Sequence, residues 1–378
     1  MGRGNLYGLY VTVYGKKANT EIPEIGARAF KNCTALTERG SITIYAPVHV
    51  YGEGCFENCS NLPSVALTAA AQTNLEEIQD AVFKNCTSLT AFLNSKFTGL
   101  KTVGKEAFCN CDSLKTPSIP ANVRSIGEAC FMNCDNVIAV SFYGALEEYP
   151  KDCFRNCVKL GKTGGTAAAF NGLKRIGEGA YEGCVSLTSG SNNWGLEKYA
   201  NLESIGARAF YGCVNLPGSA LSATVQSVGE SAFDGCHSMT SLTLKGGTLP
   251  EFGRLTLDTL ADGFQILVPD SAEREDMVYL NYFEQFEKLY GQEKTYEILD
   301  SVTDGAKGRN PLEEGRDGKD KETDPAKETE KAKESESQKE TEKANETESQ
   351  KETEKAKETE SQKETEKAKE TESQKETE

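Results

Sequence analysis

The amino-acid sequence predicts a repeat solenoid followed by a disordered, low-complexity tail. Three observations support this prediction: one phrase recurs nine times, its copies lie 23 to 29 residues apart, and the composition changes near residue 301. Nearly all apolar residues and all 13 cysteines precede that point, whereas Lys, Glu, Thr, Ser, Gln and Ala dominate after it. The first part can bury a core, and the second lacks the apolar side chains that offset the entropy of ordering.

The recurring phrase begins with an aliphatic residue, usually followed by Gly and two variable residues. It continues with Ala or Cys, an aromatic residue, a variable residue, Asn or Gly, Cys, two variable residues and usually Leu; the first copy is Ile25 to Leu36. A coil of about 25 residues cannot cover its own apolar side, so its aromatic and its Cys are expected to stack on those of the next coil. The predicted core column comprises Phe30, Cys33, Phe56, Cys59, Phe83, Cys86, Phe108, Cys111, Phe131, Cys134, Phe154, Cys157, Tyr181, Cys184, Phe210, Cys213, Phe233 and Cys236.

Short alternating stretches separate the phrases, for example Asn136–Phe142 and Ser238–Leu244. A period of two predicts one half-buried β-strand in each coil. The period of the phrase lies in the range of leucine-rich repeats. The sequence therefore predicts a leucine-rich-repeat solenoid, a right-handed curved coil with one short strand and a helical or 3-10 turn per repeat.

Two positions of the phrase carry information about the backbone. The residue before the Cys is Asn in six copies and Gly in three, at Gly183, Gly212 and Gly235. Because Asn and Gly tolerate the left-handed region, we expect a positive φ here. The Gly after the aliphatic residue is replaced by Gln79 and by Pro150, and Pro fixes φ at about −65°. Close approach of a neighbouring coil is therefore the better explanation for that Gly.

Copies such as Val103–Leu114 and Ile205–Leu216 closely match the pattern I-G-x-x-A-F-x-N-C-x-x-L. In this pattern the sequence resembles the bacterial surface leucine-rich repeats of the BspA type, which are also known from Treponema, over about residues 5–300. The resemblance implies a curved solenoid on a secreted or cell-surface protein, often active in adhesion, matrix-protein binding or coaggregation. The departures from the pattern are Tyr51 and Tyr149 in the aliphatic position and Cys55, Cys130 and Cys153 in place of Ala.

Both ends of the array carry further predictions. The chain opens inside a strand-like stretch, Leu9–Tyr14, without the polar cap that a solenoid needs, so we expect a truncated N-terminus. At the other end, Phe264–Pro269 predicts a last strand, and Asp270 with Glu273 predicts a capping box that opens a helix. The apolar stripe of that helix would cover the last coil, and a partner-binding helix is the alternative. The stripe comprises Met277, Leu280, Phe283, Phe286 and Leu289.

The predicted boundaries are residues 1–262 for the solenoid, 263–300 for the last strand and capping helix, and 301–378 for a spacer rich in Lys, Glu and Thr. From Lys327 the spacer runs in 12-residue units and stops in mid-unit, so the C-terminus is also expected to be incomplete. Glu-to-Lys pairs three residues apart, such as Glu328 and Lys331, support at most a fluctuating helix. A solvated chain of this kind would lift a binding domain off a cell wall.

Charge and hydropathy exclude several classes of partner. The net charge of −16 argues against nucleic acid, which needs a basic stripe. No run of about eighteen apolar residues exists, so no direct membrane insertion is expected. The opening residues Met1–Tyr7 contain neither the apolar segment nor the cleavage site of a signal peptide. A location on the cell surface, or secretion, is therefore implied by the resemblance alone.

The candidates for site chemistry give way to structural explanations. Metal-ligand spacing occurs in Cys55/Cys59, Cys130/Cys134, Cys153/Cys157 and Cys109/Cys111. The second Cys of each pair belongs to the core column, so buried free thiols are predicted; disulfides between neighbouring coils stay open as an alternative. His237 follows the core residue Cys236, the other histidine is His49, and the P-loop-like Gly99–Glu106 has Glu106 where magnesium needs Ser or Thr. No catalytic residue, cofactor or metal site is predicted.

The sequence thus favours a non-enzymatic recognition or adhesion module. Its ligand would be a protein or a cell-surface partner bound through the strand face of the solenoid, by contact residues that the sequence does not identify. Two alternatives remain at this point: the docking arm of a larger modular surface enzyme, and a purely structural stalk.

Overall fold

The computed structural model describes residues 11–13, 22–36, 42–188, 195–246, 250–255, 259–268 and 275–301. Within these ranges the chain winds as a solenoid of parallel strands, which confirms the predicted fold class. Residues 1–10, the capping box at Asp270 and Glu273, and the spacer beyond Ser301 lie outside the described residues, and so do the predictions made for them. No helix in the described ranges combines the length and hydropathy needed to cross a membrane.

Each regular coil contributes two strands, and the two sets form two columns along the solenoid. The first strands are β1 (Val11–Val13), β3 (Ile42–Ile44), β5 (Val65–Leu67), β8 (Ser118–Ile119), β10 (Ala139–Phe142), β12 (Lys162–Gly165), β15 (Ser219–Leu221), β17 (Ser241–Leu244), β19 (Gln265–Val268) and β20 (Leu299–Ser301). The second strands are β2 (Ile22–Ile25), β4 (Val48–Tyr51), β6 (Glu77–Ile78), β7 (Thr102–Val103), β9 (Ser125–Ile126), β11 (Glu148–Tyr149), β13 (Arg175–Ile176), β14 (Ser204–Ile205), β16 (Ser227–Val228) and β18 (Glu251–Phe252).

The first strands are those that the alternating stretches predict, and the second strands correct the prediction of one strand per coil. Most second strands contain two residues, such as Glu77–Ile78, so no alternation can be read from them. All pairings within both columns are parallel, with Val140 opposite Thr163 in the first column and Ile176 opposite Ile205 in the second. The first column divides into three sheets and the second into two.

Short helices interrupt the regular coils. Helices α1 (Ala69–Asn74) and α2 (Ala167–Gly172) join a first strand to a second strand, and each is capped by a Thr side chain that accepts a backbone N–H bond. A 3-10 helix, Leu196–Lys198, lies in the coil between β13 and β14. Within the described part of the regular coils, helical structure is therefore confined to a few corners.

The phrase itself forms a run of tight turns rather than the predicted helical or 3-10 turn. In the first copy, the N–H groups of Ala29, Lys31 and Cys33 each donate to the carbonyl three residues earlier, at 3.1 Å. The intervening N–H groups, those of residues 28, 30 and 32, donate to the next coil at 2.7 to 2.8 Å. Backbone hydrogen bonds therefore join consecutive coils on the phrase side as well as in the sheets.

The turns require a positive φ at two positions of every copy. The residue before the Cys has a φ between 58° and 77° in all nine copies, which confirms the expectation drawn from Asn and Gly. A second position, two residues before the aromatic, was not predicted and also has a positive φ throughout, from 51° to 60°. Seven of its nine residues are not Gly, including Arg28, Glu106 and Asp152, so residue type gave no signal there. Cooperative hydrogen bonding between coils offsets the steric cost, which is about 1–2 kcal/mol per residue.

The Gly after the aliphatic residue lies against the backbone of the preceding coil. A Cβ at Gly127 would lie 2.2 Å from the Lys105 nitrogen, and one at Gly229 would lie 2.3 Å from the Ala207 nitrogen. Neither glycine has a positive φ. Close approach therefore explains this Gly, as the replacements at Gln79 and Pro150 indicate.

The aromatic residues of the nine phrases form one continuous stack. Neighbouring rings lie 5.2 to 5.7 Å apart between centroids, with interplanar angles from 5° to 25°. Every ring is buried except that of Phe30 in the first described phrase, which is partly buried. Burial of each ring stabilises the fold by roughly 1.5–3 kcal/mol before entropy is subtracted.

Two helices and a strand follow the last regular coil. Helix α3 (Glu275–Tyr290) packs its apolar side on that coil, with the rings of Phe286 and Phe252 5.4 Å apart. The Tyr282 hydroxyl donates to the Gly246 carbonyl at 3.0 Å. Helix α4 (Gln292–Ile298) then leads into β20, which pairs with β19, so β19 is not the last strand as the sequence suggested.

Candidate interaction surface

The thiols of the core column have low chemical reactivity. In eight copies the Cys sulfur donates to the carbonyl of the aromatic one coil earlier, at 3.0 to 3.2 Å. All 13 cysteines are free thiols, and 12 of them are buried; Cys33, in the first described phrase, is partly buried. Burial raises the pKa of Cys59 and Cys236 to about 12. Thiols in this environment stay protonated and are poor nucleophiles and metal ligands.

The remaining candidates for catalysis do not converge on one another. His237 is exposed, whereas the neighbouring Cys236 is buried and donates to the Phe210 carbonyl. His49 lies 3.2 Å from the carboxylate of Glu76 on the next coil, far along the chain from His237. Among the described residues, no group of three or more His, Cys, Asp or Glu side chains is placed to hold a metal ion.

The phrase side of the solenoid is covered by polar side chains that bond to one another. Six asparagines form a column in which each amide nitrogen donates to the amide oxygen one coil earlier, at 2.5 to 3.0 Å. Where Gly replaces Asn, a charged network takes over: Glu182 accepts from Arg208 at 2.8 and 3.1 Å, and Arg155 lies 2.9 Å from it. The Arg208 guanidinium also lies 3.8 Å from the ring centre of Tyr211.

The second-strand face consists of the residues that precede the buried apolar residue at the end of each second strand. Its ten residues are Glu24, Val50, Glu77, Thr102, Ser125, Glu148, Arg175, Ser204, Ser227 and Glu251. Half of them, the four glutamates and the arginine, are charged. Ion pairs join neighbouring coils here and beside it, as between Arg175 and Glu148 at 3.1 Å. Hydrogen bonds from Lys101 and His49 lower the pKa of the Glu76 carboxyl.

The glycine column leaves two shallow grooves along the second-strand face, with volumes of about 490 and 500 Å³. The second groove is lined by glycines and by Ser204 and Ser227. The charged residues Glu148, Glu230 and Glu251 line it as well. A ligand in either groove would have to desolvate charged groups, which costs binding energy unless the ligand supplies matching charges.

The first-strand face consists of the outward-facing residues of the first strands from β3 to β19. Of its twelve residues only Lys162 is charged. The twelve residues are Thr43, Ala66, Ser118, Ala139, Ser141, Lys162, Gly164, Ala220, Ser241, Thr243, Gln265 and Leu267. Parallel pairing aligns these residues in rows, with Ser141 between Ser118 and Gly164. Apart from Lys162, Gln265 and Leu267, these side chains are small and uncharged.

Large exposed apolar side chains flank this face. Tyr45 follows β3 and is 49% exposed, Tyr143 follows β10 and is 44% exposed, and Ile138 precedes β10 and is 51% exposed. The fourth large exposed side chain among the described residues is Tyr211, on the phrase side. Protein interfaces are depleted of charge at their centre and enriched in aromatic residues, and the first-strand face has both properties. The sequence predicted binding through a strand face but did not identify these residues, because exposure at the ends of strands has no residue pattern of its own.

The fold and the repeat define a leucine-rich-repeat solenoid. The family model of the BspA type leucine-rich repeat region matches six copies, over residues 16–99, 68–188 and 166–254. These matches span more than half of the chain, which therefore belongs to this surface-associated family. No curated protein sequence matches the chain at a significant level.

Several solved structures of leucine-rich repeat proteins are similar to the chain. The T. pallidum leucine-rich repeat protein is 23% identical, with 49% of this chain and 80% of that protein covered and a TM-score of 0.39. A Bacteroides ovatus leucine-rich repeat protein is 20% identical, with coverages of 80% and 94% and a TM-score of 0.35. A leucine-rich cell surface protein from Faecalibacterium prausnitzii is 18% identical, with coverages of 85% and 92% and a TM-score of 0.35.

Proposed function

We propose that this chain is a non-enzymatic recognition module that binds a protein partner at the cell surface through its first-strand face. The observation that carries the proposal is the distribution of charge and exposure. The first-strand face has one charged residue in twelve and borders three exposed large side chains. On the phrase side, and likewise on the second-strand face, polar groups of one coil bond to polar groups of the neighbouring coil.

The composition of the first-strand face suits protein recognition. Tyr supplies a large, rigid, amphipathic contact at low entropic cost, and Ser, Thr and Gly adapt to a partner's hydrogen-bonding groups. Tyr143 and Ile138 lie at the two ends of β10, with Ala139 and Ser141 facing outward between them. This group of residues offers the anchor and the flat surroundings from which binding hot spots are built.

The proposal is tested by biolayer interferometry of the full chain against immobilised extracellular-matrix proteins and intact bacterial cells. We expect saturable binding to at least one of these ligands, and a loss of at least about tenfold in affinity for Tyr143→Ala combined with Ile138→Ser. Tyr211→Ala is the matched control, since it removes an exposed tyrosine from the phrase side. Ser227→Arg fills the groove of the second-strand face and should leave binding unchanged.

The variants also separate the alternatives. Binding that survives the Tyr143 and Ile138 substitutions but is lost with Ser227→Arg would move the site to the second-strand groove. Absence of saturable binding across the whole panel would contradict recognition and leave the stalk. A catalytic domain encoded in the same open reading frame would favour the docking arm.

A further inference from the structure

The three coils that carry β8, β10 and β12 differ from the rest of the chain in their charge. Residues 113–127, 136–146 and 153–177 contain no Asp and no Glu, although the whole chain has a net charge of −16. Each of these stretches includes the first strand of its coil. The first-strand face therefore carries no carboxylate in these three coils.

Most cations of these stretches are bonded within the solenoid. Arg155, Lys174 and Arg175 pair with glutamates of neighbouring coils at 2.9, 3.7 and 3.1 Å. Arg124 and Lys159 donate to a backbone carbonyl and to an amide oxygen, at 2.8 and 2.6 Å. These five side chains are therefore held by contacts within the fold.

Lys115 and Lys162 are the exceptions. Both are exposed, and neither forms an ion pair or a side-chain hydrogen bond with a residue that the structure describes. They lie on the two coils next to Ile138, whose N–H donates to the Lys115 carbonyl at 2.9 Å. On the other side, Lys162 pairs with Ala139, the residue after Ile138. Strands β8, β10 and β12 form one sheet, so two strand spacings, roughly 10 Å, separate the two lysines.

Hydroxyl groups add further donors between these lysines and Tyr143. Ser118 and Ser141 lie opposite each other in neighbouring strands and face outward. Neither hydroxyl bonds to another residue in the described part of the chain. The surface thus combines ammonium and hydroxyl donors with the exposed apolar side chains of Ile138 and Tyr143, and it contains no negative charge.

We infer that this surface binds an acidic protein segment in which carboxylates flank an apolar residue. The apolar residue packs on Ile138, and the carboxylates accept hydrogen bonds from the ammonium groups of Lys115 and Lys162. The net charge of the chain repels an acidic segment elsewhere, so cations without internal partners direct the segment to this surface. The inference rests on the proposed function of the first-strand face and names the chemistry of its partner.

An acidic protein segment fits this surface better than nucleic acid or a sulfated polysaccharide. The affinity of a polyanion grows with the number of cations that it contacts, and this surface supplies two. The further charges of a long polyanion would meet the excess of carboxylates in the rest of the chain. A protein segment needs few carboxylates, and it contributes the apolar side chain that Ile138 can contact.

The test uses the full chain and three acetylated heptapeptides, whose weak binding is measured by saturation-transfer NMR. The acidic peptide, Gly-Glu-Gly-Leu-Gly-Glu-Gly, places both glutamates and the leucine on one side of an extended chain. The second peptide has Gln in place of Glu, and the third has Gly in place of Leu. We expect the acidic peptide to bind roughly fivefold more tightly than either of the others at low salt. Its advantage over the Gln peptide should disappear in about 0.5 M salt.

Substitutions of the two lysines assign the effect to this surface. Lys115→Met and Lys162→Met should each reduce the preference for the acidic peptide over the Gln peptide to about twofold. Lys162→Arg should retain the preference. Lys245→Met is the matched control, since Lys245 is an exposed lysine after β17 that forms no ion pair with a described residue. Lys115→Glu combined with Lys162→Glu should reverse the preference, in favour of a peptide with Lys in place of Glu.

The outcomes distinguish this inference from the proposed function. Absence of binding of the acidic peptide, equal affinity for the Glu and Gln peptides, or a preference that survives the double Glu variant would overturn the inference. The proposed function would stand in these cases if a matrix protein or cell still bound in a manner that depended on Tyr143 and Ile138. A heparin oligosaccharide that bound more tightly than the acidic peptide and independently of Ile138 would also overturn the inference. Insensitivity of every bound ligand to Tyr143 and Ile138 would overturn both.

Discussion

The two strand faces of this solenoid come from the same coils and the same parallel hydrogen bonding, yet their side chains differ in kind. On the second-strand face, half of the outward residues are charged, and the ion pair between Arg175 and Glu148 at 3.1 Å links neighbouring coils there. On the first-strand face, small uncharged residues lie beside exposed tyrosines. The difference indicates that one face contributes to holding the coils in register, while the other is left available for a partner.

Both faces depend on the shared interior of the solenoid. Alkaline pH should cause the largest loss of folding stability among the predicted effects, because it ionises the thiols of that interior on unfolding. Burial raises the pKa of thiols such as Cys59 and Cys236 from the ordinary value of 9.0 to about 12. Above pH 9 the unfolded chain releases protons that the folded chain retains, so stability is fully present below pH 9 and is lost as the pH rises toward 12. At about pH 9.5 the loss should be roughly 1 kcal/mol for each buried thiol that unfolds.

Urea unfolding in the presence of reductant, at neutral pH and at about pH 9.5, measures this effect. The midpoint should fall at the higher pH, and by the same amount in Tyr143→Ala as in the unsubstituted chain. A midpoint that does not move would mean that the thiols are not buried as the solenoid places them.

Removal of one ring from the aromatic stack should be the most damaging single substitution. Phe108 is fully buried, and its ring lies 5.3 Å from Phe83 and 5.4 Å from Phe131. Phe108→Ala should lower the free energy of unfolding by about 3–5 kcal/mol, because it leaves a cavity at the centre of a coil. Phe108→Leu conserves more volume and should cost less, as measured by the same urea titration. Equal losses in the two variants would contradict close packing of the stack.

The asparagine column of the phrase side can be separated into its two roles by a matched pair of variants. Asn110 has a φ of 59°, donates to Asn85 and accepts from Asn133. Asn110→Gly keeps the backbone free to adopt this φ and removes the amide bonds, at a cost of about 1–2 kcal/mol. Asn110→Ala should cost about 1 kcal/mol more, since a Cβ disfavours the left-handed region.

The chain itself supplies a reference, because Gly183, Gly212 and Gly235 occupy the same position in later coils. If Asn110→Gly were as stable as the unsubstituted chain, the column of amides would be a consequence of the repeat rather than a source of stability.

The sequence predicts the structural features that recur in every coil. The interaction surface depends on residues that differ from coil to coil. Nine copies of one phrase indicated the solenoid, the first strands and the positive φ at Asn110 and its equivalents. The second strands were missed because two residues such as Glu77–Ile78 show no period. The second column of positive φ was missed because residues such as Arg28 and Glu106 have no preference for it.

The surface itself was partly accessible from the sequence. The absence of Asp and Glu from stretches such as residues 136–146 can be read from the sequence. The exposure of Tyr45 and Tyr143 cannot, since whether a tyrosine at the end of a strand is covered depends on the corner of the next coil. Tyr51 and Tyr149, in the aliphatic position, are buried, although they are the same residue type in the same two coils.

An exposed ion pair beside the second-strand face should contribute little on its own. Lys105 and Glu128 lie 3.1 Å apart, and both side chains are 54% exposed. Lys105→Met should change the free energy of unfolding by less than about 1 kcal/mol, and high salt should reduce the difference further. A loss of several kcal/mol would show that the cross-coil pairs act as a network, which would strengthen the structural assignment of this face.

The smallest expected change in stability is also the most informative. Tyr143→Ala and Tyr211→Ala each remove an exposed tyrosine. Tyr143→Ala should change the free energy of unfolding by no more than about 0.5 kcal/mol. Tyr211 should lose slightly more, because the Arg208 guanidinium packs on its ring. Binding should show the opposite order, with a large loss for Tyr143→Ala and none for Tyr211→Ala. Thermal unfolding and interferometry on the same two variants measure both effects. If Tyr143→Ala lowered stability substantially, the first-strand face would contribute to folding, and the distinction between a stabilising face and a recognition face would be lost.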